Sequence, residues 1–264
     1  MVDSVERIEH PAVREALKLL DIDKGLEIVS ISDIPSRGTG LGSSRTFVVA
    51  LLHALHSFRG EFVNQDELAR EAVKIERAIL KESGGKQDQY IAAYGGVNVM
   101  KFLNNGSVEV TPLISHDSNL NKIEDSLLLL YTGRERKSKE IHNDQINGVS
   151  DNMDVYDRRK GLAEETFRVM CDGDADTLGK KMDENWLLKK SLSGKISDGW
   201  IDDLYSKAIS LGAKRGKILG SGGGGFLLLV ADRDKHEAIS KELELRRTDF
   251  KFSYAGSRVI FVGD

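Results

Sequence analysis

Residues 34–44, Ile34-Pro35-Ser36-Arg37-Gly38-Thr39-Gly40-Leu41-Gly42-Ser43-Ser44, constrain this chain more than any other stretch. Three glycines within five residues are followed by two hydroxyls and then by a strongly apolar helical pattern. Glycine lets the backbone turn its N–H groups inward, and the helix behind presents the positive end of its dipole. Such a turn is an anion cradle suited to the phosphates of a nucleotide. Ser43 and Ser44 add oxygen ligands for a magnesium ion riding on those phosphates. A flexible linker would not run at once into a capped apolar helix. No Gly-Lys-Ser/Thr closes the loop, so the common P-loop is not the expectation. Phosphoryl transfer from a nucleotide, with Mg2+ on its phosphates, is the chemistry indicated.

The whole sequence narrows the partners. At 264 residues it can bury the core of one large domain or two small ones. A formal charge of −4 gives no reason to expect nucleic acid or an anionic membrane. Phosphate must then be bound locally, by loops and a few cations. Cys171 is the only cysteine, so an internal disulfide is excluded, which suits a reducing cytoplasm. No apolar run is long enough to cross a bilayer, and Met1 to Glu6 does not read as a signal peptide. A cytoplasmic protein acting on a small molecule is expected, with a homodimer left open.

Periodicity supplies a coarse map. Helices are expected over 12–20, 43–58, 66–82, 160–192, 200–211 and 234–245, with another starting near Gln87. In the helix over 66–82, Leu68, Ala72, Ile75 and Ile79 share one face. Strands are expected over 25–31, 97–103, 126–131, 217–219, 226–230 and 257–262. The mixture, irregularly spaced, predicts an α+β protein in two packed lobes, the second opening near residue 122. The expected domains are 1–121, carrying the nucleotide and phosphate site, and 122–264.

Phosphoryl transfer also needs a metal ligand and a group that orients or deprotonates the attacking hydroxyl. In Gly84-Gly85-Lys86-Gln87-Asp88-Gln89-Tyr90, Asp88 falls just past a Gly-Gly break, near a helix start. It is either a base for a sugar hydroxyl or a plain helix cap. Lys86 either holds a phosphate oxygen or steadies Asp88, unless it is simply solvated. Glu76, on the helix leading to that loop, either completes a magnesium shell with Ser44 or is a solvated charge. Gly220-Ser221-Gly222-Gly223-Gly224-Gly225 lies between two strands, so it is not a dinucleotide fingerprint. It permits close backbone approach to a ligand, through Gly222 and Gly223, or to another loop; packing on the first glycine loop is the preferred reading. Arg134, Arg136, Lys137 and Lys139 either bind a second phosphate on the substrate or form a solvated face. His53 and His56 read as helix residues rather than metal ligands. Asp172, Asp174 and Asp176 read as a capping cluster, because Thr177 stands where a calcium loop needs glycine.

In this order the segments resemble the GHMP small-molecule kinases. PSRGTGLGSS at 35–44 resembles that family's second motif, and ILGSGGGGFLLL at 218–229 its third. GGKQDQYIAAYGGVN at 84–98 is similar to the sugar-kinase branch, and most of all to D-glycero-D-manno-heptose 7-phosphate kinases. LLYTG at 129–133 and KKSLSGKIS at 189–197 agree. The resemblance implies a two-lobed GHMP fold, with an N-terminal βαβ lobe truncated at its start and a C-terminal ferredoxin-like lobe. By position it implies a magnesium-binding hydroxyl at Ser43 or Ser44, a metal-binding glutamate at Glu76 and a catalytic aspartate at Asp88. It implies transfer of the ATP γ-phosphate to the anomeric hydroxyl of a heptose 7-phosphate, feeding surface-glycan synthesis. The likeness starts downstream of the family's first motif, so a fragment, a mis-assigned start or a partner-supplied segment is expected. Another sugar-1-kinase activity, on fucose or a hexose, and a non-catalytic nucleotide- or sugar-binding module are the alternatives. Arg37 and Arg45 put cations beside the cradle where many relatives carry small residues.

Overall fold

The computed structural model describes residues 2–32, 41–134 and 138–262. Within them the chain forms two compact units, one from 2–32, 42–96 and 253–262, the other from Leu41, 97–134 and 138–252.

The first unit is helical. Helix α1 (Pro11–Leu19) starts on a proline, whose missing N–H costs nothing at that position, while His10 accepts from the Val13 N–H at 3.4 Å. Helix α2 (Ser43–Phe58) buries Val48, Val49, Leu52 and Leu55. Helix α3 (Gln65–Val73) is capped by Asn64, whose side chain accepts from the Glu67 N–H at 2.9 Å. It runs on into a π-helical turn, Lys74–Ile79. Helix α4 (Gln87–Tyr94) packs on α2 and α3, burying Tyr90 and Ala93. The C-terminal segment is tied to the same unit. Gly96 N–H donates to the Ser253 carbonyl at 2.7 Å, and Ser257 N–H to the Ala92 carbonyl at 2.9 Å.

Two expected strands do not form. Residues 25–31 and 257–262 have strand-like composition, but neither joins a strand ladder among the described residues. A strand is held by a ladder, and β-branched side chains cannot replace a missing partner. Val29 is 74% exposed, Ile31 90% and Ile260 86%.

The second unit begins with the antiparallel hairpin of β1 (Asn98–Phe102) and β2 (Val108–Pro112). Helix α5 (Asp117–Ser126) leads into β3 (Leu127–Tyr131), followed by α6 (Ser138–Asn147). Helix α7 (Met153–Asp172) and α8 (Ala175–Lys190) replace the single long helix expected over 160–192. Gly173, at φ +70°, breaks them apart, and Asp174 caps α8 by accepting from the Thr177 N–H at 3.0 Å. The acidic cluster is thus a cap. After α9 (Gly199–Ser210) come β4 (Arg215–Ile218), β5 (Phe226–Val230), α10 (His236–Glu242) and the short β6 (Arg246–Arg247).

The sheet order is β4-β5-β3-β6, all antiparallel, with Leu128 opposite Leu229 and Leu130 opposite Leu227. This is the split-βαβ pattern of ferredoxin-like sheets. Leu130, Leu229, Trp186, Ile196 and Ile201 form its core. The units divide between Gly96 and Val97, whereas residue 121 lies inside α5. The hairpin and α5 join the second unit because both pack on α7. No helix among the described residues is long and apolar enough to cross a membrane.

Candidate active site

Gly42 is the hinge of the site. It precedes α2 in a left-handed conformation, φ +73°, and a Cβ there would lie 3.2 Å from Asp88 Cγ. The backbone leading to Ser43 and Ser44 and the Asp88 carboxylate are therefore in close contact. Asp88 occupies the first turn of α4, while Lys86 holds the cap position, so Asp88 is not the plain cap. Arg45, one turn into α2, sets its Nε 3.7 Å from Asp88 Oδ2 and donates from Nη2 to the Ser83 carbonyl at 3.3 Å. Gly84, at φ +132°, lets the 83–85 loop close over that guanidinium: a Cβ there would stand 3.0 Å from Nη2. Gly85 has the side chain of Gln87 against it.

Glu76 faces inward because of the π turn. Three apolar positions of the expected face are buried, Leu68, Ala72 and Ile75, but Ile79 is 39% exposed. The wider π turn shifts the helical phase after Val73, carrying Ile79 out and Glu76 in. Glu76 is 2% exposed, so it is not a solvated charge. Gln89 Nε2 donates to its Oε2; Glu76 Oε1 and Gln89 Oε1 are buried with no hydrogen-bond partner. Burial pushes the Glu76 pKa up, with Glu82 and Asp88 adding to the rise, against the Gln89 hydrogen bond and the Arg45 charge. Charged atoms of α2, the π turn and α4 thus converge within one unit.

A magnesium ion fits this donor set. It wants oxygen ligands and commonly takes one or two carboxylates plus substrate phosphates. Glu76 Oε1 is an orphaned carboxylate oxygen of that kind, and no cluster of three or more acidic, His or Cys groups exists among the described residues to hold a metal alone. An ion here would arrive with the nucleotide.

Other expected residues have different fates. Pro35, Arg37, Gly38, Thr39, Gly40, Arg136 and Lys137 lie outside the described residues. The second glycine run belongs to the second unit, where its close approach is to neighbouring loops. Gly222, φ +103°, could take no Cβ because Ile196 Cγ2 would be 2.8 Å away, and Gly223 N–H donates to the Ile196 carbonyl at 2.8 Å. Lys189 holds the Gly220 carbonyl, and Gly225 N–H donates to the Arg134 carbonyl at 2.9 Å. Arg134 itself pairs with Asp198 at 2.8 Å and lies over the Trp200 ring. His53 shares a hydrogen bond with Ser257, and His56 lies between Glu61 and Glu71.

Sequence reasoning missed Gln89 as the buried partner of Glu76. Its one signal was a place beside Asp88 in a helix whose next residue, Tyr90, is aromatic.

A glycine entry to a helix, a carboxylate against it, a cation and a buried second carboxylate are parts that a small-molecule phosphotransferase could use. The model for the GHMP kinases N terminal domain matches residues 7–96, and that for the GHMP kinases C terminal matches 162–246. D-glycero-alpha-D-manno-heptose 7-phosphate kinase of Campylobacter jejuni is 33% identical over 85% of this chain and 68% of its own length. The bifunctional fucokinase/GDP-fucose pyrophosphorylase of Arabidopsis thaliana is 28% identical over 83% of this chain and 21% of its own. The crystal structure of a D-glycero-D-manno-heptose 1-phosphate kinase from Bacteroides thetaiotaomicron superposes with a TM-score of 0.75 at 27% identity, covering 96% of this chain and 76% of that one. The chain belongs to the GHMP kinase family. It is a phosphotransferase acting on a hydroxyl group, of the kind its sugar-kinase relatives are.

Proposed function

We propose that the protein transfers the γ-phosphate of ATP to the anomeric hydroxyl of D-glycero-D-manno-heptose 7-phosphate, giving the 1,7-bisphosphate for nucleotide-activated heptose and surface glycans. The observation that carries the catalytic part is the contact of Asp88 with Gly42 beside the orphaned, buried carboxylate of Glu76. The heptose rests on the likeness to the Campylobacter and Bacteroides kinases.

Asp88 orients the sugar hydroxyl and takes its proton as that oxygen attacks the γ-phosphorus and ADP leaves. The N–H groups and hydroxyls at the start of α2, Ser43 and Ser44 among them, hold phosphate oxygens. Glu76 and Ser44 would hold the magnesium ion, which neutralises charge on the phosphates. Arg45, 3.7 Å from Asp88, is placed to share its charge with the moving phosphoryl group. Lys86, Gly84 and Gly85 form the rim against the sugar, and Arg136 and Lys137 would read its 7-phosphate. A reducing cytoplasm is the compartment this reading implies.

A second reading, a kinase for fucose or another hexose, is favoured by the likeness to the plant fucokinase. The test is turnover of ATP and magnesium with a panel of sugars, with and without a terminal phosphate. Turnover of the heptose phosphate alone is expected. Turnover of free hexoses but not of the phosphorylated heptose rejects it, and nucleotide binding without any turnover identifies a binding module.

A further inference from the structure

A partly open cavity of about 270 Å³ is lined only by residues of the second unit, away from the residues assigned above. Helices α7 and α8, the hairpin strand β1 and the edge strand β4 line it. Leu162, Phe167, Met170 and Met182 make most of its wall apolar, and Lys217 of β4 reaches it from one side.

The charges around this cavity do not balance. Lys217 donates to the neutral Asn185 Oδ1 at 3.0 Å and has no carboxylate partner among the described residues. Its burial, with the like charge of Arg159 nearby, lowers its pKa to about 8. Arg159 stands one turn before Ala163, a lining residue on the same face of α7, and its Nε is buried with no hydrogen-bond partner. The acids with printed partners on the surrounding helices point to other cations, and neither Lys217 nor Arg159 has an ion pair among the described residues. Glu165 and Glu184 pair with Arg158 and Lys181, and Asp183 with Tyr205 and Arg215. Lys217 and Arg159 are half-buried, and a lysine or arginine drawn partly out of water is normally paired, because it loses hydration without recompense. Two like cations beside one apolar hollow lack a counter-charge.

We propose that this cavity binds a small organic anion, a carboxylate or phosphate monoester on an apolar body, with Lys217 and Arg159 holding the anionic head. Leu162, Phe167 and Met182 enclose the body. No covalent step is involved, and the site is independent of the one built around Asp88.

Benzoate and phenyl phosphate, titrated into the full chain by calorimetry, are suitable probes, with benzyl alcohol as the neutral control. Saturable binding of at least one anion is expected, weakened at least about tenfold by Lys217→Met or Arg159→Gln, with benzyl alcohol failing to bind. Loss in these variants separates the cavity from any phosphate-binding loop in the first unit. The thermal midpoint is read in parallel, and the wild type should gain more from the probe than either variant. Three results overturn the proposal: no saturable binding of either anion, equal binding by wild type and both variants, or benzyl alcohol binding as well as benzoate.

Discussion

Replacing Glu76 by glutamine separates a metal ligand from a structural carboxylate. In the wild type the group is 2% exposed, accepts from Gln89, and leaves its second oxygen unpartnered opposite an equally unpartnered Gln89 Oε1. A buried polar atom without a partner costs about 1–3 kcal/mol, and an ionised one more. Glutamine keeps the acceptor for the Gln89 N–H and supplies a donor for Gln89 Oε1, and it carries no charge. Glu76→Gln should therefore stabilise the ligand-free protein at pH 8 by about 1–3 kcal/mol. That corresponds to a midpoint rise of about 2–4 °C per kcal/mol for domains of 150–250 residues. The pH dependence has a definite sign. Burial raises the Glu76 pKa, so its contribution is most favourable below the unfolded-state value and is lost as pH rises through the folded one. The advantage of the variant should shrink as pH falls from 8 towards the ordinary carboxylate range. The same variant should need at least about tenfold more magnesium for half-maximal turnover, a loss of about 1.4 kcal/mol. Melting curves at two pH values and a metal titration measure both. Destabilisation of equal size at both pH values, with an unchanged metal titration, would refute the reasoning and make Glu76 a satisfied structural group.

Asp88→Asn should retain nucleotide binding but lose at least ~10²-fold in turnover, and a wild-type rate would remove Asp88 from the chemistry. Gly42→Ala puts a methyl group 3.2 Å from Asp88 Cγ at φ +73°. It should cost about 1 kcal/mol or more in stability and up to ~10²-fold in turnover; a fully active, equally stable variant would show the contact to be loose. Leu130→Ala, in the middle of the sheet and 0% exposed, should cost about 2–5 kcal/mol while leaving kcat/KM of the folded protein unchanged.

Legibility followed physical support. The runs at 127–131 and 226–230 could be read as strands because each is apolar throughout and each finds the other in the ladder. The runs at 25–31 and 257–262 look equally strand-like, yet pairing depends on what lies alongside, which no local pattern reports. The hairpin strand β2 escaped notice, since Val108 and Val110 alternate with polar residues over too short a span. The position of Asp88 at the start of a helix was legible from its glycine break. Glu76 was not legible from its own helix: an i, i+3, i+4 count assumes a regular helix, and the π turn breaks that assumption at the position that matters. Only the family resemblance pointed to it. Asp174 was legible because capping is a local competition between side chain and backbone.

The segments around Ile31 and Ile260 leave greasy side chains exposed along stretches that join no sheet among the described residues. Such rims invite neighbouring molecules to zip on, and charged or proline residues are what usually discourage it. This kinase should consequently crowd into insoluble material as its concentration climbs. Ile260→Lys should raise the solubility limit without touching the reaction, and turbidity on concentration would reveal it. Handling of the protein, more than its chemistry, is governed by those two borders.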